Sequence, residues 1–271
     1  MNTTLLLVGC GKMGGAMLDG WLARGLDPDR VWIVEPNAET AADLASRLGV
    51  HTLAGADGLP ADLKPDVVLF AVKPQVMDQA MPPYARLAGP DTVFLSIAAG
   101  RTLASFGAAL GDHALVVRSM PNTPAAVGRG ITVCCAGPGV TEAQRALCQS
   151  LLEAVGAVDW VEDESLIDAV TAVSGSGPAY VFLLTECLAR AGARLGLPPD
   201  LAARLARATV SGAGELMHQA PDDPAVLRQN VTSPGGTTAA ALAVLMDDDG
   251  LQPLMDAAVT AAERRSRELA G

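Results

Sequence analysis

The sequence predicts an α/β fold in its first part and an all-helical second part. Up to about residue 161, short apolar runs rich in β-branched residues alternate with helical patterns, as in a parallel sheet covered on both faces. Beyond that point the strand pattern stops. A chain of 271 residues that is 50% hydrophobic is long enough for one or two domains. We therefore predict two domains, at residues 1–161 and 162–271.

The elements follow from apolar periodicity and from turn residues. Strands are predicted at 5–9, 31–35, 67–72, 92–97, 114–118, 131–135 and 158–161, with 51–53 as a further short strand. Helices of the first domain are predicted at 14–24, 39–48, 75–87, 102–110 and 141–155. Helices of the second domain are predicted at 166–173, 178–195, 199–219, 224–230, 237–247 and 251–269.

The turn after the first strand has the pattern G-x-G-x-x-G, at residues 9–14. In this strand–turn–helix context, Gly9 allows the tight turn and Gly11 lets a pyrophosphate approach the backbone. Gly14 lets the helix pack closely on the strand. The N–H groups and positive dipole end of the helix would then face the phosphates. The motif predicts a Rossmann-type dinucleotide-binding domain; the alternative is a set of ordinary loop glycines.

Composition excludes several classes of function. A net charge of −11 argues against nucleic-acid partners and anionic membranes, and 3% aromatic residues leave no platform for stacking bases. Five cysteines without a C-x-x-C pair indicate reduced thiols, with no zinc site or other metal site. No uninterrupted apolar run reaches the length of a transmembrane helix. We expect a cytoplasmic protein.

An acidic residue, Glu35, ends the second predicted strand, 21 residues after Gly14. An acid at this place hydrogen-bonds the ribose hydroxyls of NAD and repels a 2′-phosphate. The first basic residue that follows is Arg47. The local pattern therefore favours NADH, with NADPH as the alternative if Glu35 is merely solvated and an arginine serves the phosphate.

Three further strand ends carry small or polar residues, at 70–74, 96–100 and 120–124. Ligands of open α/β sheets bind at the carboxyl ends of strands, so these segments should meet in one crevice. Lys73 would either approach the cofactor or cap a loop. Small residues at 98–99 would let a nicotinamide ring lie against the backbone, and Asn122 offers an amide.

Two loops of the helical domain, at 174–180 and 232–238, open helices with glycine and hydroxyl residues. Free backbone N–H groups at a helix start can hold a small carboxylate, although ordinary capping is the alternative. The second domain has no lysine and a single histidine, His218. Because a dehydrogenase acting on a hydroxyl needs a base, this scarcity favours an electrophilic substrate such as an imine.

Six motifs together resemble the pyrroline-5-carboxylate reductase family, in order and over nearly the whole chain. They are GCGKMG at 9–14, AVKP at 71–74, SIAAG at 96–100, MPNTP at 120–124, SGSGPAY at 174–180 and SPGGTT at 233–238. The resemblance implies reduction of the ring imine of 1-pyrroline-5-carboxylate to L-proline, the last step of proline biosynthesis, with NADPH or NADH. It also implies an N-terminal Rossmann-type domain followed by an all-α dimerisation domain. The assembly it implies is a homodimer, with a decamer as a larger form.

The resemblance also implies roles for individual residues. Thr238 is the catalytic candidate, with its hydroxyl near the ring nitrogen. The substrate carboxylate would be held by Ser176, Ser233, Gly235, Gly236, Thr237 and Thr238. The dinucleotide would be held by Gly9, Cys10, Gly11, Lys12, Met13, Gly14, Glu35, Ala71, Val72, Lys73, Pro74, Ala98, Ala99 and Asn122.

Two segments depart from the family pattern. Relatives that use NADPH often carry small hydroxyl residues and an arginine where this chain has residues 35–37, and many relatives carry Glu-His-Pro where it has 222–224. Two other functions remain as alternatives. A dehydrogenase of the β-hydroxyacid type would want a lysine in the helix after Pro178, which residues 181–195 lack. A non-catalytic dinucleotide-sensing dimer would leave both helix-start loops unexplained.

Overall fold

The computed structural model describes residues 3–270, and of Ala270 it describes only the backbone. The chain divides into two compact units. Unit 1 runs to Gly175 and also takes in the chain from Ala262 onward, and unit 2 is Ser176–Ala261. The domain boundary after residue 161 stays a prediction, since a sequence domain need not coincide with a compact unit.

Unit 1 is built on one sheet of eight strands in the order β3-β2-β1-β4-β5-β6-β7-β8. Strand β1 lies between β2 and β4, so the strand order reverses beside it, which is where α/β folds of this kind bind ligands. The predicted Rossmann-type fold is confirmed. The strands are Leu5–Val8, Val31–Val34, His51–Leu53, Val67–Phe70, Val93–Ser96, Leu115–Met120, Gly130–Ala136 and Gly156–Val161, numbered β1 to β8.

Two neighbouring strands, β7 and β8, run opposite to the other six and so depart from the predicted parallel arrangement. Strand β7 runs antiparallel to β6, while β8 is parallel to β7. A parallel crossover needs a dozen or more residues, usually including a helix. The connection from Pro121 to Arg129 is shorter than that and contains only the 3-10 turn Thr123–Val127, so the chain reverses direction.

The helices of unit 1 lie between the strands and cover both faces of the sheet. Leu5 and Leu7 of β1 pack in one apolar cluster, whereas Leu6 and Val8 pack in another on the opposite face. The helices are α1 Lys12–Ala23, α2 Ala38–Leu48, α3 Met77–Ala80, α4 Leu103–Leu110, α5 Glu142–Leu152 and α6 Leu166–Val170, which continues as the π-helical turn Thr171–Gly175.

The helix predicted at 75–87 is wrong in extent. Only α3 is α-helical there, and it is flanked by 3-10 turns at Pro74–Val76 and Pro82–Leu87. Two consecutive prolines, at 82 and 83, have no backbone N–H to donate and clash with a preceding helical turn. They end the α-helix.

Unit 2 is entirely helical and has very little interior of its own. Among its described residues only Ala202 and Ala206 are buried hydrophobics, while Phe182 is 64% exposed and Leu254 is 67% exposed. Exposed apolar surface of this extent is typical of an interaction surface. Its helices are α7 Gly177–Arg194, α8 Pro199–Gln219, α9 Pro224–Asn230, α10 Thr237–Leu245 and the first part of α11 Leu251–Ala270, which ends in unit 1.

One helical stretch of the described chain, Leu166–Arg194, is long and apolar enough to cross a membrane by length and composition alone, with a mean hydropathy of 1.3. The uninterrupted helical run from α6 through the π-turn into α7 produces this length. Apolar helices that pair with a second chain pass the same test.

Candidate functional site

A cavity of about 550 Å³ opens in unit 1 at the carboxyl ends of β1, β4, β5 and β6. This volume lies within the usual range for a small-molecule or cofactor site. The structure thus brings together the strand ends that the sequence predicted to meet. Its lining residues are Gly11, Lys12, Met13, Ala71, Val72, Lys73, Pro74, Ile97, Ala98, Ala99, Met120, Pro121, Asn122, Thr123 and Gly175.

Ten of the fourteen predicted dinucleotide residues line this cavity, and four do not: Gly9, Cys10, Gly14 and Glu35. Lining residues outside the predicted set are Ile97, Met120, Pro121, Thr123 and Gly175. The first four lie in the segments 96–100 and 120–124, which were predicted to meet at the crevice without these residues being singled out. Gly175 belongs to the predicted loop 174–180, but the π-turn that it ends was not predicted.

The glycine turn has the geometry that its spacing predicts. Gly9 has a φ of +86°, and its N–H donates to the carbonyl of Val34 at 2.9 Å. A Cβ on Gly9 would lie 2.7 Å from Cγ1 of Val72, and one on Gly14 would lie 2.8 Å from the carbonyl oxygen of Gly9. A Cβ on Gly11 would meet nothing within 4 Å. Gly9 and Gly14 therefore build the turn, and Gly11 leaves space beside it.

The first turn of α1 lies at the cavity. Gly11 is its N-cap residue, and within residues 3–270 no side chain caps the helix start. Its leading N–H groups and positive dipole end are therefore available to an anion. Lys12 and Lys73, two of the chain's three lysines, also line the cavity and make no ion pair with other described residues. A protein of net charge −11 is locally cationic here.

Glu35 is half-buried at the end of β2 and is attached to the glycine turn. Its Oε2 accepts a hydrogen bond from the N–H of Cys10 at 3.2 Å, and its Oε1 accepts one from the N–H of Asn37 at 3.0 Å. The nearest following cation, Arg47, contacts the carboxylates of Asp19 at 3.7 Å and Asp43 at 3.5 Å. Glu35, Asp19 and Asp43 are thus acidic groups near this end of β2 and the helix that follows it.

The thiol of Cys10 is held in its protonated form. Burial, together with the negative charges of Glu35 and Asp19, raises the pKa of Cys10 from 9.0 to about 11. A protonated thiol is a poor nucleophile. Cys10 contributes its backbone N–H to the turn, through the hydrogen bond to Glu35.

Asn122 lines the cavity, but its amide group is engaged within the protein. Its Oδ1 accepts from the N–H of Ile131 at 3.0 Å, and its Nδ2 donates to Oγ of Ser174 at 3.3 Å. The side chain joins the loop after β6 to the end of the π-turn. It shapes the cavity wall by holding these two segments together.

In unit 2, the two predicted helix-start loops begin helices that no side chain among residues 3–270 caps. Ser176 is the N-cap of α7, yet its hydroxyl caps nothing among the described residues, so the alternative of ordinary capping does not hold for it. The second loop forms a turn in which the N–H of Gly236 donates to the carbonyl of Ser233 at 3.0 Å, with Pro234 and a Gly235 of φ +68° between them. Thr237 and Thr238 then open α10.

No group of three or more histidine, cysteine, aspartate or glutamate side chains within the described part of the chain could hold a metal ion.

Comparison with protein families gives two matches. Residues 164–269 match the family described as pyrroline-5-carboxylate reductase dimerisation. Residues 4–100 match the family described as NADP oxidoreductase, coenzyme F420-dependent.

Individual proteins match over the full length. The pyrroline-5-carboxylate reductase of Pseudomonas aeruginosa is 40% identical over 266 residues, which is 98% of this chain and 96% of that one. The structure of a pyrroline-5-carboxylate reductase from Coxiella burnetii superposes with a TM-score of 0.93 at 35% identity, covering 100% of both chains. That of the Plasmodium falciparum pyrroline carboxylate reductase with NADP bound has a TM-score of 0.81 at 25% identity, covering 100% of this chain and 99% of that one.

Proposed function

Since this chain belongs to the pyrroline-5-carboxylate reductase family, we propose roles for its cavity and its helix-start loops in the reaction of that family. The chain is an NAD(P)H-dependent oxidoreductase that reduces the ring imine of 1-pyrroline-5-carboxylate to give L-proline. The observation that carries our assignment is the cavity at four strand ends, bordered by the glycine turn and by the uncapped start of α1.

The nicotinamide dinucleotide is held in this cavity. Its pyrophosphate lies against the first turn of α1, where free N–H groups, the helix dipole and the nearby Lys12 and Lys73 favour an anion. Its nicotinamide end lies between the wall at 71–74 and the small residues Ala98 and Ala99. The space beside Gly11, which a side chain would fill, fits a close approach of the phosphates.

NADH is the preferred dinucleotide. The carboxylate of Glu35 lies next to the glycine turn, where it can accept hydrogen bonds from ribose hydroxyls and repels a 2′-phosphate. Arg47 does not offset this repulsion, because it already contacts two carboxylates. NADPH is accepted with lower affinity.

The substrate carboxylate is bound by the helix-start loops of unit 2. The hydroxyl of Ser176 makes no capping hydrogen bond to any residue from 3 to 270, and Ser176 directly follows the cavity-lining Gly175 along the chain. Ser233, Gly235, Gly236 and Thr237 form an uncapped turn with N–H groups at the start of α10. Neutral N–H and hydroxyl donors suit a small carboxylate in a protein whose net charge is strongly negative.

Thr238 orients the ring nitrogen of the substrate and relays a proton to it through its Oγ1. The bound dinucleotide supplies a hydride for the imine carbon. Because the imine is already electrophilic, the protein chiefly has to position the two reactants and exclude water, and it needs no strong base.

The assignment is tested by Thr238→Ala, with Thr185→Ala as the control. The hydroxyl of Thr185 donates to the carbonyl of Val181 within α7, so its loss leaves the proposed loops intact. With Thr238→Ala we expect kcat to fall about tenfold or more, as for loss of one positioned proton donor, with dinucleotide affinity unchanged. An equal loss of dinucleotide binding would mean that the turn is structural and would contradict this role.

The chain forms a homo-oligomer. We propose that two copies cover the exposed apolar helices of unit 2, since a unit with two buried hydrophobic residues cannot be stable alone. We further propose that such dimers assemble into a decamer. We also propose that the protein is cytoplasmic. Sedimentation equilibrium distinguishes a dimer from a decamer.

A further inference from the structure

A single side chain joins two walls of the cavity. One wall is the segment that follows β4, at 71–74, and the other is the segment that follows β5, at 97–99. Arg101 lies just beyond the second wall, and its guanidinium reaches back to the first. Its Nη2 donates to the carbonyl oxygen of Pro74 at 3.1 Å.

The same guanidinium is anchored by Asp78 in α3. Nη1 lies 2.8 Å from Oδ1 and Nη2 lies 2.9 Å from Oδ2, so both carboxylate oxygens are contacted. The side chain of Arg101 is 23% exposed and that of Asp78 is 64% exposed. An ion pair this exposed contributes little to global stability, but the two-point geometry fixes the orientation of the guanidinium.

We propose that Arg101 is a positioning residue that holds the two walls at the spacing that accepts the nicotinamide end of the dinucleotide. It does not line the cavity, so it acts through Pro74 and the loop that precedes it. This inference rests on the proposed function, which places the dinucleotide in the cavity.

The consequence is a change in affinity. Without the arginine the walls are free to move apart, and only a fraction of molecules has the competent spacing. The apparent Kd of a ligand rises by the reciprocal of that fraction, whereas the bound state is unchanged. The dinucleotide Kd should therefore rise while kcat at saturation stays constant. If Arg101 instead contacted the 2′-phosphate directly, its loss would raise the Kd of NADPH more than that of NADH, because only NADPH carries this phosphate.

The test compares Arg101→Ala and Arg101→Lys with the control Arg145→Ala. Arg145 has a side chain that is 24% exposed and an ion pair with Glu162 at 2.8 Å, and it lies over Trp160 away from the cavity. Fluorescence titrations with NADH and competition with NADPH give the two Kd values, and steady-state assays with 1-pyrroline-5-carboxylate give kcat. Thermal unfolding shows that each variant is folded.

For Arg101→Ala we expect both Kd values to rise by about the same factor, roughly tenfold, with kcat within about twofold of the parent. Arg101→Lys should raise Kd less, since the lysine ammonium keeps the positive charge but cannot contact both carboxylate oxygens of Asp78 with two separate nitrogens. Arg145→Ala should leave both Kd values within about twofold. If Arg101→Ala does not fold, Asp78→Ala is the substitute variant. Asp78 is exposed, and its loss releases the guanidinium of Arg101, so both Kd values should again rise.

Unchanged Kd values in a folded Arg101→Ala protein, or an equal rise in Arg145→Ala, would overturn the inference while leaving the proposed function standing. Failure of the parent protein to bind either dinucleotide would overturn both.

Discussion

The carboxylate of Glu35 accepts a hydrogen bond from the backbone N–H of Cys10, with 3.2 Å between the nitrogen and Oε2. This contact joins the end of β2 to the glycine turn that follows β1. One acidic side chain therefore takes part in the shape of the turn and in the electrostatics of the ribose site that we propose beside it.

Replacing Glu35 by glutamine should shift the dinucleotide preference towards NADPH. Glutamine keeps the length of the side chain and an oxygen acceptor for Cys10 but removes the charge that repels a 2′-phosphate. We expect the ratio of kcat/KM for NADPH to that for NADH to rise about tenfold, or about 1.4 kcal/mol. Glu39→Gln, in the exposed first turn of α2, is the control and should leave the ratio unchanged. A ratio that stays constant in Glu35→Gln would remove Glu35 from cofactor selection.

Gly14→Ala should disrupt the glycine turn, whereas the neighbouring Gly15→Ala should not. The new Cβ at position 14 would lie 2.8 Å from the carbonyl oxygen of Gly9, while a Cβ at position 15 meets nothing within 4 Å. We expect Gly14→Ala to lower the free energy of unfolding by about 1–3 kcal/mol and to weaken dinucleotide binding. Gly15→Ala should be neutral or stabilising by up to about 1 kcal/mol. Denaturant titration and NADH fluorescence measure both effects, and equal behaviour of the two variants would refute this account of the turn.

Gly100→Ala tests the contact between the cavity wall and the end of α11. Gly100 and Gly49 both have a φ of +70°, so alanine suffers the same backbone strain at either position. At position 100 the Cβ would also lie 3.1 Å from the carbonyl oxygen of Leu269, whereas at position 49 its nearest neighbour is Pro28 at 3.9 Å.

We therefore expect Gly100→Ala to be less stable than Gly49→Ala by about 1 kcal/mol. It should also raise the dinucleotide Kd, because Gly100 directly follows Ala98 and Ala99 in the wall. Calorimetry and fluorescence titration of the two variants measure this. Equal stability and equal dinucleotide Kd in the Gly100→Ala and Gly49→Ala variants would mean that the end of α11 does not support the cavity wall.

Cys10 should be alkylated only at high pH. With its pKa raised to about 11 by burial and by Glu35, roughly one thiol in a thousand is ionised at pH 8, and the rate should rise about tenfold per pH unit up to pH 11. Because this pKa lies above the ordinary 9.0, the stability that the protonated thiol contributes is present below pH 9 and is lost as the pH rises towards 11.

Pulse labelling with iodoacetamide and peptide mass spectrometry gives the rate at Cys10 itself. In Glu35→Gln the midpoint should move to lower pH, because one of the charges that raise the pKa is gone. Rapid alkylation of the parent at pH 8 would contradict the burial of this thiol.

Much of the fold could be predicted from local sequence. The strands of unit 1 are short buried runs between helices, and their order places the glycine turn and three later strand ends at one edge of the sheet. The prediction of one helix over 75–87 was wrong because it relied on the apolar periodicity and neglected the two prolines in the middle of the segment. The reversed direction of β7 and β8 was not predicted, because an apolar strand pattern is the same in either direction.

The long-range contacts of the site could not be predicted. The reach of Arg101 to Pro74 and Asp78, and the approach of Leu269 to Gly100, depend on which surface segments become neighbours in three dimensions. Arg101 was not among the residues predicted from the sequence, because nothing in the local pattern shows the two groups that it joins. Likewise, Asn122 looked like a free amide until both of its ends were found bonded within the protein.

The central claim is that this chain reduces a cyclic imine with a dinucleotide held at the glycine turn and selected by Glu35. Steady-state oxidation of NADH and of NADPH, each with 1-pyrroline-5-carboxylate and with L-proline quantified as the product, tests it most directly. We predict turnover with both dinucleotides and a higher kcat/KM with NADH. Turnover with NADPH alone would contradict the role of Glu35, and the absence of oxidation with either dinucleotide would contradict the account as a whole.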